Sequence, residues 1–312
     1  MTVQVVKTMT LKVAMIGYGA VGSIHAEKLA AEPGVELRAV YGPKPEKASA
    51  FASAHGIKNA CATIAEAVTG ADVAIVCSPS ALHFQQACEC LERGVHTLVE
   101  LPPCVAAAEA EALGELACRR GVLLGCAHTS RFVAPYGQIR ESIRANVLGP
   151  LQEYNYTRHH RLRERSWADN ALLHHAAHAV DILLDWCGGL EPRGCVALPD
   201  AQHAQTVSML GKLPSGGPAS ITVTYTSRLP HIRMLVVGEH HTVETDGFTY
   251  LRSDLADLQF GGDAQQVYEQ AIRDQDREFL RACQGQGSFV PWEETLKLMR
   301  TMDRFQALAN TA

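Results

Sequence analysis

Several features common to other protein classes are missing from this 312-residue sequence. No apolar run reaches the ~18–20 residues that a membrane-spanning helix needs. The first ten residues, MTVQVVKTMT, lack a positive start followed by an apolar stretch. They read as a short extension before the first strand, not as a secretory signal. There is no excess of basic charge. The 28 Lys and Arg against 33 Asp and Glu leave a net charge of −5, which offers no general surface for nucleic acid. No repeat, low-complexity segment or H-E-x-x-H pattern is present. The ten cysteines are scattered. Only Cys88 and Cys90 are close, and two residues two apart on a helix point to different faces, so one metal would not take both. The expectation is free thiols in a reducing cytoplasm, with no metal.

What remains is a soluble-type composition, 47% hydrophobic and 20% charged, in a chain long enough for two cores. The most informative stretch is Leu11 to Gly22, LKVAMIGYGAVG. An apolar run stops at Gly17, and Gly19 and Gly22 complete the spacing G-x-G-x-x-G, with Tyr18, Ala20 and Val21 between them. The first glycine allows a tight turn, the second a close approach by a pyrophosphate, and the third close helix–sheet packing. The following helix offers unpaired N–H groups to the phosphates. A dinucleotide site is expected here.

Strand-like and helix-like segments then alternate: Val35–Tyr41, Lys44–His55, Val73–Cys77, Ser80–Arg93, Val95–Glu100, Ala106–Arg120 and Val122–Ala127. This pattern predicts an α/β fold that begins with a doubly wound parallel Rossmann sheet, over residues 1–127. Its ligands would sit beyond the carboxyl ends of the strands. From 128 to 312 the pattern changes. Leu151–His160 reads as a half-exposed strand, Asp169–Trp186 as a helix closed by Gly188 and Gly189, and five short β-like pieces follow, the last being Phe248–Arg252. Two helices, Ala264–Cys283 and Trp292–Ala309, end the chain. Successive strands without intervening helices predict a mostly antiparallel open sheet, whose free face suits a homo-oligomer interface.

Three clusters carry chemistry. At the end of the second strand Gly42 stands where NAD-preferring folds place an acid for the ribose 2′-hydroxyl, and Lys44 follows. A missing carboxylate and a nearby cation suit a 2′-phosphate, so NADP is preferred over NAD. The second cluster lies on the helix over 169–186. His174, His178 and Asp181 share one face at i, i+4 and i+7, with His175 on the flank. Zinc binding and a structural histidine pair are possible readings. General acid–base catalysis is favoured, because an unperturbed imidazole titrates near pH ~6.5. Asp181, one turn on, would orient or stabilise the imidazolium. The third is Arg158–Arg165, RHHRLRER. Arg158 and Arg165, with Arg131, could clamp carboxylates through their planar forks, or the run could be a solvated face.

Together these residues resemble the glucose–fructose oxidoreductase / inositol dehydrogenase family. The resemblance rests on G-Y-G-A-V-G, on Cys77-Ser78-Pro79-Ser80-Ala81-Leu82-His83, on Val99-Glu100-Leu101-Pro102, on Arg131-Phe132 and on His178-x-x-Asp181. It implies a Rossmann domain plus an open antiparallel-sheet domain, NAD(P)-dependent oxidation and oligomers. It also implies that Cys77, Ser78, Pro79, His83, Glu100, Leu101 and Pro102 line the cofactor. Most members have Glu-Lys-Pro where this chain has Glu100-Leu101-Pro102, and Leu101 cannot transfer a proton. A narrower branch, the 4-carboxy-2-hydroxymuconate-6-semialdehyde dehydrogenases, is similar in Ala127-His128-Thr129-Ser130-Arg131-Phe132, Arg165-Ser166-Trp167, Leu172–His178 and Gln275–Phe279. That likeness implies NADP and oxidation of a cyclic hemiacetal bearing carboxylates. His178 would accept the proton, His174 or His175 would relay it, and His128, Arg131, Arg158, Arg165 and Trp167 would meet the substrate. A sugar or cyclitol dehydrogenase, and a non-catalytic dinucleotide-binding regulator, are the competing expectations.

Overall fold

The computed structural model describes residues 10–162 and 170–310. Arg165, Trp167 and the expected helix start at Asp169 lie outside the described residues. The chain folds as two compact units, each assembled from separate stretches of sequence. The first runs to Glu100 and takes in Ala112–Gly125 and Asp276–Phe289. The second holds Leu101–Glu111, Cys126–Gln275 and the chain from Val290. A single cut at 127/128 therefore does not describe the division.

The first sheet uses β1 (Leu11–Ile16), β2 (Val35–Tyr41), β3 (Asn59–Cys61), β4 (Val73–Val76), β5 (His96–Glu100) and β6 (Leu124–Ala127). Their order is β3-β2-β1-β4-β5-β6, the order of doubly wound dinucleotide-binding folds. The pairs β1–β2, β1–β4, β2–β3 and β4–β5 are parallel. Central strands are buried on both faces, so β1 and β4 read as continuous apolar runs rather than alternating ones. Between the strands run α1 (Ala20–Ala30), α2 (Pro45–Ala54), α3 (Ile64–Val68), α4 (His83–Glu92) and α5 (Ala107–Arg120). β3 and α3 are not anticipated by the pattern, since three and five residues are too few to display a period. A local signal for α3 does exist. Thr63 Oγ1 accepts from Glu66 N–H while the Glu66 carboxylate accepts from Ala62 N–H, an arrangement akin to a capping box.

The second unit is built on eight strands: β7 (Leu151–Arg161), β8 (Glu191–Leu198), β9 (Thr206–Lys212), β10 (Pro218–Ser227), β11 (His231–Gly238), β12 (Thr242–Thr245), β13 (Tyr250–Ser253) and β14 (Phe260–Gly261). The order is β14-β13-β12-β11-β7-β10-β9-β8. Among these, β7–β10 is parallel and β8–β9, β9–β10, β7–β11 and β11–β12 are antiparallel. Besides the start of α5, the helices α6 (Ala134–Arg144), α7 (His175–Cys187), α8 (Ala264–Cys283) and α9 (Trp292–Ala309) belong wholly or partly here. Along β10 burial alternates strictly, so one face carries Ile221, Val223 and Tyr225 into the core with Tyr154, Tyr156, Met209 and Val236. The other face leaves Val196, Leu198 and Leu210 more than half exposed. No described helix is long and apolar enough to cross a membrane.

Two boundaries differ from expectation for local reasons. The Asn170 carboxamide oxygen accepts from the N–H groups of Leu172 and Leu173. This side-chain turn delays regular helix until His175. Asp246 Oδ1 accepts from Phe248, Thr249 and Tyr250 N–H, so the strand begins at Tyr250 and not at Phe248. α7 ends on Gly188 in the left-handed conformation, φ 70°, which glycine adopts at no steric cost.

Candidate active site

The first unit supplies a dinucleotide cradle. Gly17 has φ 123°, and a Cβ there would lie 2.8 Å from the Cys77 carbonyl and Ser78 N. Only glycine allows β1 to turn this tightly against the end of β4. At Gly19 a Cβ would meet nothing within 4 Å. The backbone is therefore open where a pyrophosphate would approach. Gly19 is the N-cap of α1, without a side-chain cap, and no acid stands in the first turn. Unpaired N–H groups and the helix dipole suit an anion there. Gly22 packs with Cys77 Sγ 3.0 Å from its Cβ position. These residues fit a bound dinucleotide. Ser78 Oγ meets Gln86 Oε1 at 2.5 Å and His83 Nε2 lies 2.7 Å from Ser78 O, so buried His83 fixes the turn after β4 instead of presenting an open ring.

A buried charge cluster in this unit escapes the sequence pattern, because its three members lie far apart in the chain. His25, fully buried in α1, has Nδ1 2.7 Å from Asp276 and Nε2 2.8 Å from Glu100. Burial alone would lower its pKa. The two carboxylates outweigh burial and raise it to about 10, so the ring is an imidazolium at neutral pH. Glu100 is thus tied to His25. Leu101 and Pro102 do not offer open side chains to a cofactor either. Leu101 is 2% exposed and packs in the apolar core of the second unit.

In the second unit the structure rearranges the expected partnerships. Asp181 is fully buried, yet it does not hydrogen-bond His178. Its carboxylate takes Arg131 through Nε at 3.1 and 3.2 Å and Nη2 at 2.6 Å, and His128 Nδ1 at 2.9 Å. Burial opposes ionisation of Asp181, but His128 and Arg131 hold its carboxyl well below the usual range. Arg131 also has Asp185 at 3.8 Å and Glu294 at 3.6 Å. Its expected role as a carboxylate clamp therefore does not fit, because the fork is already engaged by carboxylates of the protein. The expected substrate contact of His128 fails in the same way. The ring is fully buried and its Nε2 is 2.9 Å from Thr295 Oγ1.

Four further histidines, His160, His174, His175 and His178, cluster together, and the charge of Arg158 acts on two of them. Side chains along β7 alternate, so Arg158 and His160 follow Tyr154 and Tyr156 on one face. Rings of His160 and His175 are 4.0 Å apart, His174 and His175 4.1 Å, and His174 and His178 5.9 Å. Tyr225 Oη lies 2.5 Å from His175 Nδ1. His178 Nδ1 faces Ser130 Oγ at 3.3 Å. Arg158 hydrogen-bonds the Tyr156 side chain, while its buried Nε has no hydrogen-bond partner. Among the described residues Arg158 has no carboxylate ion pair. Burial, then the positive field of His174 and Arg158, lowers His178 to about 3. Burial, His174 and Arg158 likewise press His175 well below the usual imidazole value. Both rings are neutral at pH 7. No group of three or more His, Cys, Asp or Glu among the described residues could hold a metal ion.

The chain is similar to known oxidoreductases. Residues 11–128 match the GFO/IDH/MocA oxidoreductase family with NAD-binding Rossmann fold. A 4-carboxy-2-hydroxymuconate-6-semialdehyde dehydrogenase of Sphingobium sp. is 29% identical over 232 residues, covering 70% of this chain and 74% of that protein. An NADP(+) scyllo-inositol 2-dehydrogenase of Bacillus subtilis is 25% identical over 214 residues, 64% of this chain and 58% of that one. Levoglucosan dehydrogenase, solved with NADH and levoglucosan, shares the fold at a TM-score of 0.83 with 17% identity, over 96% of this chain and 97% of its own.

Proposed function

We propose, from the family match over residues 11–128 and the relatives described above, that the chain is an oxidoreductase of the glucose–fructose oxidoreductase / inositol dehydrogenase family and oxidises the hydroxyl-bearing carbon of a carboxylated substrate with NADP. The hemiacetal of a semialdehyde such as 4-carboxy-2-hydroxymuconate-6-semialdehyde is the best candidate. The observation that carries this reading is Arg158, a cation without a carboxylate partner among the described residues, whose field reaches the neutral rings of His175 and His178. An uncompensated buried charge is costly, and a substrate carboxylate supplies the missing partner in the bidentate geometry guanidinium favours.

The bound dinucleotide would supply the hydride acceptor. The chain's own residues handle the proton. With Nδ1–H directed to Ser130 Oγ, His178 keeps the Nε2 lone pair for the substrate hydroxyl. A base whose pKa is about 3 holds a proton poorly. A carboxylate on Arg158 cancels part of the field that depresses it, so substrate binding makes His178 more basic. His174 and His175 stand within ring contact to pass the proton on, where most members of that family have a lysine. The half-exposed apolar face of the eight-stranded sheet supports self-association. Nothing in the charge balance favours a nucleic-acid partner.

The test is a steady-state comparison of the carboxylated semialdehyde with inositol and glucose, each with NADP⁺ and NAD⁺. The expected result is turnover of the semialdehyde, and a KM raised ~10²-fold in Arg158→Met, the loss typical of one charge-assisted hydrogen-bonded pair. Turnover of inositol or glucose alone would return the chain to the sugar and cyclitol dehydrogenases. Tight dinucleotide binding without turnover of any of them would favour a regulator.

A further inference from the structure

Position 42 follows directly on β2, where a dinucleotide-binding sheet ordinarily presents the carboxylate that binds a ribose 2′-hydroxyl. The glycine there is not demanded by the backbone, whose φ lies outside the left-handed region. The demand is steric. A Cβ on Gly42 would stand 1.9 Å from Tyr18 Cε1 and 2.2 Å from Cδ1. These are atoms in the body of a ring, not the tip of a flexible chain. The ring is also held at its far end, since Tyr18 Oη accepts the Lys44 N–H at 3.1 Å. Tyr18 is the residue between the first two glycines of the phosphate-binding turn, so turn and ribose loop are joined through one side chain. Lys44 is exposed and among the described residues has no ion pair.

We infer that Tyr18 determines which ribose 2′-substituent the chain accepts. Its ring excludes any acid from position 42, and its hydroxyl holds the backbone from which Lys44 projects. This rests on the NADP reading above and assigns its cause to a residue outside the β2 loop. The glycine at 42 is then a consequence of Tyr18 and not an independent adaptation. It follows that the choice of cofactor cannot be reversed by changing position 42 alone.

Calorimetric binding of 2′,5′-ADP and 5′-AMP to the full chain tests this without turnover, with thermal melting of each variant alongside. Wild type is expected to bind 2′,5′-ADP ~10-fold or more tightly than 5′-AMP, as one charge-assisted contact implies. Tyr18→Ala should bring that ratio close to one. Gly42→Asp should lower the melting temperature and weaken both ligands. Tyr18→Ala with Gly42→Asp should recover the melting temperature and favour 5′-AMP. The inference is overturned if Tyr18→Ala keeps the full ratio, or if Gly42→Asp alone melts like wild type. If wild type binds both ligands equally while the melting pattern holds, the NADP reading fails, and the exclusion of an acid from position 42 by Tyr18 stands.

Discussion

The buried imidazolium of His25 makes a quantitative prediction about the first unit. His25 lies between Asp276 and Glu100 at 2.7 and 2.8 Å with no exposure. Its folded-state pKa is raised from 6.5 to about 10. A raised value means that the folded state binds the proton more tightly than the unfolded chain. Its contribution to stability is therefore complete below pH ~6.5 and is lost as pH climbs towards 10. Between those limits the folded state carries close to one extra proton, and stability falls by up to ~1.4 kcal/mol per pH unit. From pH 6.5 to pH 8 the loss from this group integrates to roughly 1.5 kcal/mol. That figure does not depend on the exact upper pKa, because the folded ring stays protonated throughout the window. His25→Gln removes the cation and leaves two carboxylates facing each other in a buried site, at a cost of about 3–5 kcal/mol. The assay is urea denaturation of wild type and His25→Gln at several pH values from 6.5 to 8, below the range in which unfolded thiols ionise. The wild-type advantage should shrink by that ~1.5 kcal/mol across the window. An advantage that stays constant would show that His25 is neutral when folded and would refute the reasoning. A histidine side-chain NMR titration that moves between pH 6 and 7 at His25 would do the same.

Other consequences are as direct. His178→Asn should cut kcat ~10²-fold or more while dinucleotide affinity, measured by calorimetry, changes little; wild-type turnover in that variant would remove His178 from the proton path. The acid limb of kcat/KM should show no inflection near 6.5, because the free-enzyme value of His178 is depressed to about 3 and the ring remains deprotonated at every assay pH above 5. Asp181→Asn removes the fully buried carboxylate from the Arg131 guanidinium, leaving only the more distant Asp185 and Glu294, and should cost about 3–5 kcal/mol in denaturant titration. A variant as stable as wild type would mean that the pair is solvated. Leu101→Lys places an ammonium in the apolar core of the second unit and should destabilise by several kcal/mol, so the family's lysine is not restored by that single change; a normal melting temperature would show that position 101 reaches water.

Much of the architecture is legible in the chain because it depends on near neighbours. Gly17, Gly19 and Gly22 sit at the spacing a phosphate-binding turn requires, and β1 and α1 form on either side of them. α8 and α9 occupy Ala264–Cys283 and Trp292–Ala309, the bounds their periodicity predicts. The change from alternating elements to successive strands announces the second sheet. Elements too short for a period, β3 and α3, are not legible in this way, and neither is the partnering of charges. Asp181 follows His178 by less than a helical turn, and local spacing favours that pair. The turn at Thr129–Phe132, some fifty residues earlier, instead brings Arg131 and His128 to Asp181. Alternation along β7 puts Arg158 and Arg161 on opposite faces, but it does not say which face α7 covers. Nor does the glycine at 42 reveal that the ring of Tyr18 fills its space. The sequence alone determined many of the strands and helices, though not β3, α3, α6, β8 or β14, since periodicity and backbone preference act over a few residues. The tertiary structure decided which cation each carboxylate holds, because burial and ion pairing join groups that are far apart in the chain.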